Sequence, residues 1–123
     1  MVTAANGGIT ATDASQWQKF TADIEKAGND TIVFVMDQTP GDFKNSGEAN
    51  YFRAILNQYV EQGKTVFVIS CYNQGYWTSL KDGVRYINLP NLWKADGTAN
   101  EAYTMLRFRV KDGNVSYEAV NIK

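Results

Sequence analysis

The residues with most chemical potential sit in VISCYNQGYW, residues 68–77, where an apolar run meets a polar loop holding the only cysteine, Cys71. A nucleophilic cysteine needs a base or a cation to hold its thiolate, and the chain contains no histidine. A phosphatase-type cysteine needs an arginine six residues later, and position 77 is Trp. Cys71 is therefore expected to be buried, packing as a small hydrophobe at a strand end.

Asp37 and Asp42 flank Pro40 in DQTPGDF. With one cysteine and no histidine, carboxylates would have to supply most of any metal site, yet no EF-hand spacing or second acidic cluster accompanies this pair. Their simpler role is to form the turn through side-chain hydrogen bonds to the backbone. The glycines are scattered, without a GxxxxGK or GxGxxG phosphate loop. The aromatic residues hold more promise: Tyr72, Tyr76 and Trp77 follow one predicted strand and Trp93 follows another, with Asn73, Gln74, Asn88 and Asn91 nearby. Rings and amides in this mixture suit a sugar, and the competing reading is that they roof the end of the core.

The elements that position these residues follow from periodicity. Asp13 and Gln16 have capping-box spacing, and Trp17, Phe20, Ile24 and Ala27 recur at helical spacing before Gly28. TIVFVM (31–36) reads as a strand buried on both faces. A second helix runs from a cap at Ser46 to Gly63, with Ala49, Phe52, Leu56, Tyr59 and Val60 on one face. TVFVIS (65–70) is a second buried strand, and the strand-helix-strand order predicts a parallel crossover. VRYINL, AYTMLRFRV and VSYEAV are further strands, the last two joined at Asp112-Gly113, a hairpin signal. The expected fold class is α/β with α+β character: a mixed sheet of about five strands and two amphipathic helices. Val33, Val35, Val66, Val68, Phe20, Ile24, Phe52 and Leu56 should share one core. Residues 1–12, small and polar with paired glycines, read as a linker before a single domain over 13–123.

At 123 residues the chain has the length of one domain. Twelve basic against 13 acidic side chains give no long-range attraction to nucleic acid. No apolar run reaches the roughly 18 residues that cross a bilayer, and MVTAANGGIT lacks the features of a signal peptide.

The succession VFVMDQTP, helix, GKTVFVISCYNQGYW, DGVRYINLP and a final LRFRV–NVSYEAV hairpin resembles the C-terminal half of calcineurin-like metallophosphoesterases, over about residues 13 to 120. In that family the first buried strand ends in a metal-binding histidine before a proline, and the second ends in a Gly-His-x-His signature. Here Asp37 stands at the first position, Cys71 at the glycine, and Tyr72 and Gln74 at the two histidines. The family's N-terminal half, with its other metal ligands, has no counterpart in this sequence. The resemblance implies a half-sandwich scaffold that has lost its dinuclear metal, with no cofactor and no catalysis by this chain alone.

The chain is also similar to accessory domains beside phosphodiester-glycosidase-type catalytic domains in secreted bacterial proteins. That implies an extracellular or cell-surface setting, with other domains of a parent chain, a cell-wall glycan, or a second copy through an exposed sheet edge as partners. A glycan-binding module using Tyr76, Trp77 and Trp93, or a phosphoesterase fragment needing its missing half, are the alternatives.

Overall fold

The computed structural model describes residues 1–28, 30–71, 76–89, 103–111 and 114–122. Its helices are α1 (Ile9–Asp13), α2 (Gln16–Ala27) and α3 (Ser46–Glu61), with a short 3-10 turn at Pro40–Asp42. Its strands are β1 (Thr31–Met36), β2 (Thr65–Cys71), β3 (Trp77–Lys81), β4 (Val84–Leu89), β5 (Tyr103–Lys111) and β6 (Asn114–Ile122).

Both long helices form where apolar periodicity predicts. Trp17, Phe20 and Ile24 bring one face of α2 to the core, and the helix stops at Gly28, whose φ of 63° suits a residue without Cβ. The Asp13–Gln16 pair acts just ahead of that helix: Asp13 Oδ1 accepts from Ser15 N at 3.0 Å, and Gln16 Nε2 donates to Asp13 O at 3.1 Å. These bonds shape the turn between α1 and α2. In α3, Ala49, Phe52, Leu56 and Tyr59 are buried as their spacing requires. Its cap is Asn45 rather than Ser46, with Asn45 Oδ1 accepting from Glu48 N at 3.2 Å.

The main sheet has the order β1-β2-β4-β3, with β1, β2 and β4 parallel and β3 antiparallel to β4. β5 and β6 pair as a separate two-stranded sheet, so the expected single sheet of about five strands is instead four strands plus a hairpin. The hairpin has an apolar contact to the face of the main sheet opposite the helices: Phe67 of β2 meets Phe108 at 5.3 Å and Tyr117 at 6.0 Å. The two residues linking β5 to β6, including the predicted Asp112-Gly113 turn, lie outside the described residues.

β3 was not anticipated from its composition. Its signal is the Asp82-Gly83 pair, whose φ values of 51° and 79° form the two-residue turn that closes a tight hairpin with β4. Gly83 is needed twice over, because a Cβ there would also lie 2.7 Å from Val60 Cγ1 of α3.

Two expectations are overturned by packing. β1 is buried on one face only: Ile32, Phe34 and Met36 are in the core, whereas Val33 is 44% and Val35 40% exposed. β1 is one edge of the sheet, and the hairpin contacts recorded on the second face fall on β2, β4 and β3. The two-sided burial expected of β1 is found in β2, an interior strand.

The second correction concerns residues 1–12, which are part of the domain. Val2, Ala4 and Ile9 are buried in the core, and Val2 forms a parallel bridge to Met36 with its N–H donating to Val35 O at 2.8 Å. Glu48 of α3 accepts from Ile9 N at 2.8 Å and Thr10 N at 3.1 Å, satisfying the start of α1 that Gly8 cannot cap. Small residues that look like a linker are here selected for close packing.

These packing differences predict unequal truncation costs. Leu56→Ala and Phe34→Ala should destabilise the fold by about 2–5 kcal/mol, whereas Val33→Ala should remain within about 1 kcal/mol of wild type. Urea titration of the three variants checks this, and an equal loss at Val33 and Phe34 would show that β1 is covered on both sides.

Candidate functional site

Parallel sheets tend to gather ligands at the carboxyl ends of their strands. Here β1 runs into Asp37, β2 ends in Cys71, and β4 ends in Leu89 after Asn88. Met36 pairs with Ser70 and Ser70 with Asn88, so these ends are level across the three strands. Asp37 is turned to structural use: its Oδ2 accepts from Thr3 Oγ1 at 2.6 Å and its Oδ1 from Ala4 N at 2.7 Å. Gln16 completes the clamp, receiving Thr3 N at 2.8 Å and donating to Thr3 O at 3.0 Å.

Asn88, considered above as an amide near an aromatic rim, is completely buried and accepts from the equally buried Ser70 Oγ at 2.8 Å. Buried polar groups are normally hydrogen-bonded, and burial withdraws this pair from the surface. Cys71 is exposed rather than buried as expected, because it lies at the end of β2 beyond the covered part of the strand, yet partial burial of its thiol still pushes the pKa up, away from a reactive thiolate. Among the described residues, no three of Asp, Glu and Cys gather as metal ligands. Tyr72, Asn73, Gln74, Asn91 and Trp93 lie outside the described residues.

A more open arrangement lies beside α3. That helix packs over β2 and β4, whereas β3 lies one strand further out. Strand alternation puts Trp77, Ser79 and Lys81 on the helix side of β3, with Ser79 and Lys81 exposed. Tyr86 of β4, paired with Ser79, is mostly buried, and Arg53 supplies a wall from α3. The 3-10 turn closes one end, held by Thr39 Oγ1 donating to Asp42 Oδ2 at 2.9 Å. Together these residues enclose a cleft of about 280 Å³.

Burial pushes the Tyr86 phenol above its ordinary pKa, with the positive charge of Arg53 opposing the shift, so the group stays a neutral hydroxyl near neutral pH. Trp77 is half-buried and packs against the core while lining the cleft, and Tyr76 before it is 40% exposed. The rim reading and the core-roof reading thus each describe part of the Trp77 environment.

Sequence reasoning singled out Trp77 and missed Arg53, Ser79, Lys81 and Tyr86. The Asp82-Gly83 hairpin signal would have placed Trp77, Ser79 and Lys81 on one face. Arg53 carries no such local sign, because α3 meets β3 only through the fold.

Comparison with known protein families, curated proteins and solved structures found no match.

Removing the Asp37 clamp should loosen the N-terminal segment. Asp37→Ala is expected to cost about 1–3 kcal/mol in urea titration and to speed hydrogen exchange at the Ala4 amide. Unchanged exchange there would mean that Gln16 and the Val2 bridge hold the segment alone. Cys71 should alkylate more slowly near neutral pH than an unstructured peptide thiol, accelerating as pH rises through the raised thiol pKa. Iodoacetamide rates across pH check this, and a rate above the peptide's would reveal an activating neighbour.

Proposed function

We propose that this chain is a non-catalytic interaction domain, an accessory to other domains of a cell-surface protein, built on a metallophosphoesterase-like scaffold whose metal ligands have been replaced. The observation that carries the reading is the use of Asp37. The carboxylate at the position resembling a strand-end ligand has both oxygens engaged with Thr3 and Ala4. A carboxylate serving as a clamp for the chain's first residues is poorly placed to bind a metal or move a proton. The raised thiol pKa of Cys71 supports the same reading.

Purified protein should therefore hold less than stoichiometric manganese, iron or zinc by elemental analysis. It should also hydrolyse bis(p-nitrophenyl) phosphate no faster than the buffer when manganese is added. A tightly held stoichiometric metal, or manganese-dependent turnover that co-purifies with the folded chain, would overturn the proposal.

The glycan-binding alternative is favoured by one feature, the Trp77 side chain lining a cleft that also contains Arg53, Lys81 and Asp42.

A further inference from the structure

We propose that the cleft between α3, β3 and the Pro40–Asp42 turn binds one sugar residue carrying a carboxylate, as in a uronic-acid unit of a glycan. This rests on reading the chain as a binding domain and goes further by naming the ligand's chemistry.

Size sets the first constraint. At about 280 Å³ the cleft lies just below the usual range for small-molecule sites, about 300–1,000 Å³, and suits one ring rather than an extended ligand. Lining chemistry sets the second. Among the lining side chains Arg53 and Lys81 bring two positive charges against the carboxylate of Asp42, leaving the lining itself with one net positive charge, while Asp82 is the further carboxylate close enough to act on Tyr86. A neutral sugar would leave that excess uncompensated, whereas a carboxylate matches the planar guanidinium of Arg53 and the ammonium of Lys81.

The remaining groups argue for a sugar over a simple anion. Trp77 offers an aromatic surface for the apolar face of a pyranose. Ser79 and Tyr86 contribute hydroxyls that can pair with those of a sugar. A nucleic-acid strand is a poor fit, because the cleft holds two cations and admits one ring.

The geometry arises from the fold rather than from a mobile loop. β3 extends the sheet beyond the helix, the tight Asp82-Gly83 turn fixes its register against β4, and Arg53 projects from an anchored helix. Such a site is formed before its ligand arrives, which lowers the ordering cost of binding.

The test is an NMR titration of the full chain with methyl glucuronide, methyl glucoside and acetate. Methyl glucuronide should give saturable shifts at the Trp77 indole and at the Ser79 and Lys81 amides, and bind at least about tenfold more tightly than either control. That ratio corresponds to about 1.4 kcal/mol. Raising the salt should weaken it.

Lys81→Gln, at an exposed position, should lower affinity severalfold without moving the thermal midpoint, and Arg53→Gln should do the same or more. Equal binding of the glucoside would remove the role of the two cations. Equal binding of acetate would reduce the site to an anion pocket. Shifts mapping elsewhere, no saturation, or unchanged affinity in both variants would also overturn the inference. The absence of sugar binding would leave the non-catalytic reading standing, because metal content and phosphodiester turnover test that separately.

Discussion

The packing of Phe52 is the contact on which the architecture depends. It is completely buried, and its ring meets Phe34 at 5.5 Å, Phe20 and Trp17 at 6.1 Å, and Phe43 at 6.3 Å. One side chain of α3 thereby joins α2, the first strand and the segment after the 3-10 turn. Three of these four pairs are edge-to-face and the fourth is tilted, and edge-to-face is an arrangement aromatic rings prefer, so the cluster sets orientation as well as burying area. Leu56, one turn further along α3, carries the same helix face onto the sheet.

Fixing α3 in this way decides what the sheet leaves uncovered. The helix lies over the parallel strands, and β3, added by a tight hairpin, extends past it. The step between helix and outer strand is the cleft. Its polar groups cost little to place there because Ser79 and Lys81 remain in contact with water. The buried polar groups of the sheet are handled differently: Ser70 and Asn88 hydrogen-bond to each other at the ends of adjacent strands.

At the opposite edge of the sheet, β1 has a different problem. An edge strand presents unpaired backbone groups, and here the N-terminal segment covers the end of that edge through Val2. The segment is held by Asp37, Gln16 and Glu48, which come from three separate elements. A groove of about 550 Å³ continues between α2 and the rest of β1. The positions that resemble a metal-binding strand end and the packing of the chain's first residues are therefore linked, since Asp37 belongs to both.

Local patterning along the chain accounts for the two long helices, the parallel β1–β2 pair, the β5–β6 hairpin and the buried face of α3. These depend on local periodicity and on glycines that end elements. It also pointed to Trp77 and to the strand-end positions of Asp37 and Cys71. Tertiary structure decided that β1 is one-sided, because burial of a strand depends on its place in the sheet and on what covers it. It also decided that residues 1–12 belong to the core, since a few small apolar side chains in a polar stretch gain their meaning from distant partners. The cleft is likewise a tertiary product. Arg53 and Lys81 are 28 positions apart and share no periodicity, so only the packing of α3 against the β3–β4 hairpin brings their charges to the same wall.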